Sequence, residues 1–313
     1  MSKIVALRPN RDPIRPVLML TASHRIDSTL LSLRSLERFT NLARFKHIYV
    51  LADSVSPDQA AILYRFMHTR DNVDVVHCSG NGPVLAAVRD ELLNRHLDDV
   101  IVTMADDVFV TPLWLEHLLE GYRVHAASKD IPIVSALSPV SPDGRFALNR
   151  FLKNEYPAER AMFDGEAVEQ NWVYHRWMWE KVANGGFMES WLASNPQPYF
   201  YPGFASLGCA AFDRRLIKAL EPLQPDGSDW QQGQDAAPVN AIMRVGNWKN
   251  AVVSRSVAHH YAFSTCEDYL RSHVPLDMVW QHLQEIWRQE QIKAKTVSVR
   301  RLRPVMGMAA AGR

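Results

Sequence analysis

The sequence predicts an α/β fold in which a mostly parallel sheet is flanked by helices. Three observations predict it. Short apolar runs alternate strictly with amphipathic stretches over roughly the first 140 residues. Strand and helix in that order build parallel sheets covered on both faces. From about residue 141 the alternation stops and aromatic residues crowd in, which predicts loops and helices inserted into the sheet. After about residue 206 the alternation resumes, and a helical tail follows.

Taken in order, Val17 to Thr21 is a continuous apolar run and predicts a buried strand. A helix follows, opened by Asp27 or Ser28 as cap, with Leu30, Leu33, Leu36 and Phe39 facing inward. His47 to Ala52 is the second strand. Ser56-Pro57-Asp58-Gln59 announces a helix, with serine as cap, proline at the first helical position and glutamine able to reach back. Val73 to His77 is a third strand, Ser79 to Pro83 a turn, Val84 to His96 a helix and Val100 to Met104 a fourth strand. Thr111-Pro112 opens another helix, and Ile131 to Leu137 is a fifth strand. Beyond the insert come a strand over Ser206 to Phe212, helices over Arg214 to Leu220 and about Ala236 to Val245, and a strand over Ala251 to Val257. The tail helix carries Val279, Leu283 and Ile286 on one face.

Composition bounds the function. Of 313 residues, 47% are hydrophobic and 22% charged, as in an ordinary globular protein. A net charge of +1 gives no global attraction to nucleic acid or anionic membrane. The three cysteines, Cys78, Cys209 and Cys266, are widely separated and form no Cys-x-x-Cys pair. That argues against a disulfide framework and a cysteine zinc site, and it suits a reducing compartment. The first sixteen residues lack a signal peptide's apolar core, and no later run is long enough to span a bilayer. The expected location is the cytoplasm.

In open parallel sheets ligands bind beyond the carboxyl ends of the strands, so polar residues just after strands are the ones to weigh. Three sites qualify: Asp53, the pair Asp106-Asp107, and His259-His260. Two adjacent carboxylates at a strand end repel unless a cation lies beside them, and Mn2+ or Mg2+ is the natural partner. The plain alternative is a turn cap with its neighbour facing water. Asp53 accepts hydrogen bonds only, which suits a nucleobase N–H or a ribose hydroxyl, or else a turn. The aromatic insert holds Trp172, Tyr174, Trp177, Trp179, Trp191, Tyr199 and Phe200. These rings could stack on a sugar or a base, but Trp172, His175 and Trp179 share one helical face, which favours core packing.

From Val17 to about Tyr122 the chain resembles the donor-binding half of GT-A-fold, family-2-like glycosyltransferases. The resemblance rests on Val17–Thr21, Val50-Leu51-Ala52-Asp53-Ser54, Gly80-Asn81-Gly82 and Thr103-Met104-Ala105-Asp106-Asp107-Val108-Phe109-Val110. The last of these matches the family's acidic metal motif followed by an apolar strand, although Met104 and Ala105 stand where the family often has another acid. The resemblance implies a GT-A, Rossmann-like fold and a nucleoside-diphosphate sugar as donor. It further implies nucleoside recognition by Asp53, and a metal on Asp106 or Asp107 with Asp107 preferred. Thr21, at the end of the first strand, and Ser23 and Arg25 just after it are expected to meet the donor beside Asp53 and Asp106. Gly208 to Arg215 resembles the small-residue strand and basic turn placed before the acceptor site. Gly233-Gln234-Asp235 resembles a Glu-Asp motif whose aspartate is the base, so Asp235 is the expected base, with helix capping as the alternative. His259 or His260 resembles the late histidine of the metal shell.

The stretches 1–140, 141–265 and 266–313 then become a donor-binding half, an acceptor-binding half with the aromatic insert, and a C-terminal helix with a basic tail, all within one domain. The implied reaction is sugar transfer to an acceptor hydroxyl with inversion. The acceptor is open among a saccharide, a lipid-linked sugar, a protein and a modified nucleobase. Lys293, Lys295, Arg300, Arg301 and Arg303 read as a solvated end, with a peripheral contact to lipid or nucleic-acid phosphate as the alternative. A nucleotidyltransferase would share the strand-end aspartates, but Thr21-Ala22-Ser23-His24-Arg25 lacks the glycine-rich loop such an enzyme needs. A binding protein that keeps the fold without the chemistry is the other alternative.

Overall fold

The computed structural model describes residues 13–22, 25–78, 82–163, 171–182, 185–220, 237–261, 271–281, 283–285 and 288. The elements alternate as expected through the first half. They are β1 (Val17–Ala22), α1 (Ile26–Phe39), β2 (His47–Asp53), α2 (Pro57–His68), β3 (Val73–Cys78), α3 (Gly82–Arg95) and β4 (Ile101–Met104). Then come the short β5 (Val108–Val110), α4 (Trp114–His125) and β6 (Ile133–Leu137). The insert forms α5 (Pro142–Glu155), α6 (Pro157–Ala161), α7 (Trp172–Val182), α8 (Gly185–Ala193) and the two-residue β7 (Tyr199–Phe200). β8 (Cys209–Phe212), α9 (Arg214–Leu220), α10 (Ala237–Val245) and β9 (Asn250–His260) follow, and residues 271–281 add a helical segment.

The strands join in one sheet of order β3-β2-β1-β4-β8-β6-β9-β5, with β7 also on β9. The sheet is mixed in direction. β1 pairs with β2 and β4, β2 with β3, and β6 with β9 in parallel, but β8 runs antiparallel between β4 and β6, and β5 and β7 run antiparallel to β9. Apolar runs buried on both faces look alike in either direction, so the pattern could not show the reversal.

That reversal decides where one predicted feature lies. Ile101, the first residue of β4, lies beside Phe212, the last of β8. The turn Asp213-Arg214-Arg215 therefore sits on the rim opposite the carboxyl ends of β1, β2 and β4. There Asp213 accepts from Tyr122 Oη at 2.8 Å and from Arg215 Nε at 2.9 Å. These contacts hold its carboxyl below the usual range against the upward push of burial. The basic turn is thus internally paired, on the rim opposite Asp53, Asp106 and Asp107.

α1 begins at Ile26 with Arg25 in the capping position, and the side chain of Arg25 makes no cap bond. Asp27 and Ser28 are inside the helix, not its caps. Leu31, Leu33 and Leu36 are buried, and so are four hydroxyl residues, Ser28, Thr29, Ser32 and Ser35. Buried hydroxyls need partners, and the short edge strand β5 supplies them. Ser32 Oγ donates to Val108 O, and Val110 N donates to Ser35 Oγ at 3.2 Å. The helix thus closes the outer edge of the sheet, which would otherwise offer unpaired backbone groups. At α2 the cap is as expected, since Ser56 Oγ accepts from Gln59 N at 3.2 Å. The Gln59 side chain turns inward instead of reaching back.

The insert packs on the sheet. Tyr174, Met178, Trp179, Phe187, Met188 and Trp191 are buried with Phe109, Val252 and Val257. Trp179 Nε1 donates to Tyr261 O at 3.1 Å, and Trp191 Nε1 to Ser254 O at 2.9 Å. Each buried indole N–H has found a partner, as it must. These rings are core and not a stacking platform. Cys78 and Cys209 are free and buried. Among the described residues no helix is long and apolar enough to cross a membrane.

Candidate functional site

The parallel pairings put the carboxyl ends of β1, β2, β3, β4 and β9 on one rim, so Asp53, Asp106-Asp107 and His260 share it. Asp53 is the last residue of β2, opposite Cys78 in β3. Its Oδ1 accepts from Ser54 Oγ at 3.1 Å, and Ser54 holds φ at 55°, a left-handed conformation uncommon outside glycine. The sharp turn leaves the Asp53 carboxylate half-exposed at the rim. Burial pushes the neighbouring Cys78 thiol up, and the Asp53 charge adds to it. Thr21 is half-buried near the end of β1, opposite Leu51. Since β1 separates β2 from β4, Asp53 and the acid pair stand two strand spacings apart, roughly 10 Å.

The acid pair is enclosed. Asp106 and Asp107 are each 4% exposed, although carboxylates seldom go under cover unpaired. Three elements meet there. Arg25, at the head of α1, brings Nη2 to 3.1 Å from Asp107 Oδ2 and 3.9 Å from Asp106 Oδ1. Thr29 Oγ1, one turn into α1, lies 3.1 Å from Asp106 Oδ2 and 2.8 Å from Arg25 O. Gln59 Nε2, from the first turn of α2, donates to Thr29 Oγ1 at 2.9 Å. That bond fills one lone pair of the hydroxyl and leaves its proton for Arg25 O or Asp106. β9 supplies His260, whose Nε2 lies 3.3 Å from Asp107 Oδ1, and Tyr261 N donates to Asp107 O at 2.8 Å. β8 closes the far side, where Gly208 O accepts from Ala105 N at 2.9 Å.

β9 runs through both histidines instead of ending before them, and that separates their fates. Successive strand side chains point to opposite faces. His260 meets Asp107. His259 is fully buried with its ring centroid 4.3 Å from that of Trp179, and neither of its ring nitrogens has a hydrogen-bond partner. Burial depresses its pKa well below the ordinary value, and the neighbouring His175 and His260 add to the effect. The structure does not bring His259 to the acids.

Of the predicted residues, Arg25, Asp106, Asp107 and His260 come together, and Thr21 and Asp53 share their rim. Ser23 and Asp235 lie outside the described residues, as do Lys293 to Arg303. The sequence reading missed Thr29 and Gln59. A signal was present: Ser28, Thr29, Ser32 and Ser35 recur at helical spacing on the face that also carries Leu36, and a hydroxyl stripe on an inner face needs polar partners.

Asp107 Oδ1 and His260 Nε2 suit a divalent cation. Neighbouring ligands of an octahedral ion with bonds of about 2.1 Å stand about 3 Å apart, close to the 3.3 Å seen here. Imidazole with carboxylate is a donor set that manganese accepts. Among the described residues no cluster of three or more His, Cys, Asp or Glu side chains could hold a metal. The remaining positions would fall to water and phosphate oxygens, as is usual for such ions.

No protein-family model and no curated protein matches the sequence. Solved structures do match. The chain superposes on GalNAc-T7, crystallised with UDP, GalNAc and Mn2+, with a TM-score of 0.51 and 9% identity, over 82% of this chain and 45% of that one. What is shared is the fold. It is a mixed α/β fold of the GT-A-like kind, with flanking helices. Against the mannosyltransferase PcManGT from Pyrobaculum calidifontis, in complex with GDP-Man and Mn2+, the TM-score is 0.44 at 13% identity, over 79% of this chain and 56% of that one. At that level the second likeness adds nothing to the first. The chain spans about half the length of the structures it resembles.

Proposed function

We propose that this chain transfers a sugar from a nucleoside-diphosphate donor to an acceptor hydroxyl with the help of Mn2+ or Mg2+. The observation that carries the reading is the enclosed Asp107 carboxylate, with His260 at one oxygen and Arg25 at the other, on the ligand-binding rim of the sheet. A GT-A-like fold shared with a protein crystallised with UDP, GalNAc and Mn2+ agrees with it. Asp53 and Thr21 would take the nucleoside, and the two-strand gap to Asp106 gives the ribose and diphosphate room to lie along the rim. Asp107 and His260 would hold the cation, which supplies Lewis-acid stabilisation of the departing diphosphate. Arg25 would add charge-assisted hydrogen bonds to the same phosphates. Thr29 and Gln59 keep Asp106 oriented. Asp235 would accept the acceptor proton, and a single displacement gives inversion. A hexose is the expected sugar, and the cytoplasm the expected place of work.

A thermal-shift panel of UDP, GDP, CDP and dTDP sugars, each with and without Mn2+, tests the reading. A ligand bound only by the native state raises the melting temperature by mass action. One nucleotide should shift it, only with metal, and the shift should vanish in Asp107→Asn. Silence across the whole panel would remove the reading.

A further inference from the structure

The acid pair already has a cation of its own. Arg25 Nη2 lies 3.1 Å from Asp107 and 3.9 Å from Asp106, and the side chains are 18%, 2% and 5% exposed respectively. The acids are enclosed while the arginine is the more exposed partner. Asp106 is held through Thr29 and Gln59, and Asp107 through its backbone bond from Tyr261. Arg25 sits at the very start of α1, makes no capping bond with its side chain, and is the most exposed of the three.

We propose that Arg25 is an internal counter-ion that couples metal binding to diphosphate binding. This rests on the nucleotide-sugar reading above. The charges give the reason. Two carboxylates and one guanidinium carry a formal charge of −1. A divalent cation arriving alone would turn that enclosed cluster positive, with a guanidinium and a metal crowded against the same oxygens, and like charges in poor solvent repel strongly. A nucleoside-diphosphate sugar carries two negative charges. Arriving with the cation it restores the original balance, and it offers Arg25 phosphate oxygens that match the guanidinium fork as well as carboxylates do. Metal and donor therefore enter together, and free metal is kept out.

The test is Mn2+ binding by the full chain, read from the electron paramagnetic resonance signal of the free ion, so that no turnover is needed. Wild type should bind Mn2+ alone weakly and tighten at least tenfold with whichever of the UDP, GDP, CDP and dTDP sugars it accepts, after the Mn2+ taken up by the nucleotide sugar in protein-free controls is subtracted. Arg25→Met should bind Mn2+ alone at least tenfold more tightly than wild type and gain little from the nucleotide. Arg25→Gln, with a polar uncharged head, gives the same comparison if the methionine variant fails to fold, and circular dichroism reports that. Equal Mn2+ affinity in wild type and the folded variants overturns the coupling while leaving the function in place if nucleotide still binds with metal. A wild type that binds none of the four nucleotides removes the function instead, and the metal-only comparison still decides whether Arg25 guards the acids.

Discussion

β9 divides two environments that differ in how their polar groups are satisfied. On the rim, Asp106, Asp107, Arg25, Thr29, Gln59 and His260 contact one another, and Arg25 and His260 reach solvent. On the other face, His259 sits against Trp179 with neither nitrogen bonded, inside the aromatic insert. The rim holds its acid pair against Arg25 and His260, and both of these reach solvent. Around His259 the packed neighbour is the buried Trp179 ring, and burial there disfavours charge. Two adjacent histidines thus become a potential ligand and a core residue, and the pleat of one strand is the cause.

The dry side should be the more costly to disturb. Trp179 is 1% exposed, touches His259, Phe109 and Tyr261, and donates to Tyr261 O. Trp179→Ala leaves a large cavity and should cost about 3–5 kcal/mol, read from urea midpoints. Tyr261 N bonds Asp107 O, so the damage should reach the rim, and metal-dependent nucleotide binding should weaken with stability. If binding is untouched, the two faces are less connected than the contacts show.

On the rim the expectation inverts, with large functional effects and small structural ones. Asp107→Asn should lower metal-dependent transfer by about 100-fold or more, the scale of losing a main electrostatic stabiliser. His260→Ala should weaken metal-dependent nucleotide binding about 10- to 100-fold, as loss of a metal partner does, with a melting temperature near wild type because His260 is part-exposed. His259→Leu should do the opposite: binding unchanged, and stability at neutral pH unchanged or higher by up to about 1 kcal/mol, since a buried group without a bond is replaced by an apolar one. Matching phenotypes for the two histidine variants would erase the distinction between the faces.

How much of this was legible follows from what each signal encodes. Apolar runs and caps located β1 to β4 and the cap of α2 within a residue or two, because burial and hydrogen-bond geometry dictate both locally. Strand direction is not written in a run such as Cys209–Phe212, so the antiparallel β8, and with it the rim on which the Asp213-Arg215 turn lies, could not be read from the chain. Asp106, Asp107 and Arg25 could each be picked from the chain, but not that Arg25 pairs with both acids. Contacts over 77 residues, such as Thr29 to Asp106, depend on how α1 packs against β5, and local patterns say nothing of that packing.

The smallest expected effect comes from pH and isolates the dry face. Burial, with His175 and His260 beside it, sets the folded pKa of His259 well below its ordinary 6.5. Above about pH 6.5 neither the folded nor the unfolded chain protonates this ring, so its contribution to stability is complete. As pH falls below that value the unfolded chain takes up a proton the folded chain refuses. Stability then drops by up to about 1.4 kcal/mol per pH unit until the folded pKa is reached. His125 and His117 are also depressed by burial, but they remain in a His259→Leu variant, so the difference between the two proteins isolates His259. Urea midpoints at pH 7.5 and 5.5 should show the variant losing about 1 kcal/mol less than wild type. Equal losses would mean that the imidazole finds water or a partner, and the contrast between the faces would then rest on the rim alone.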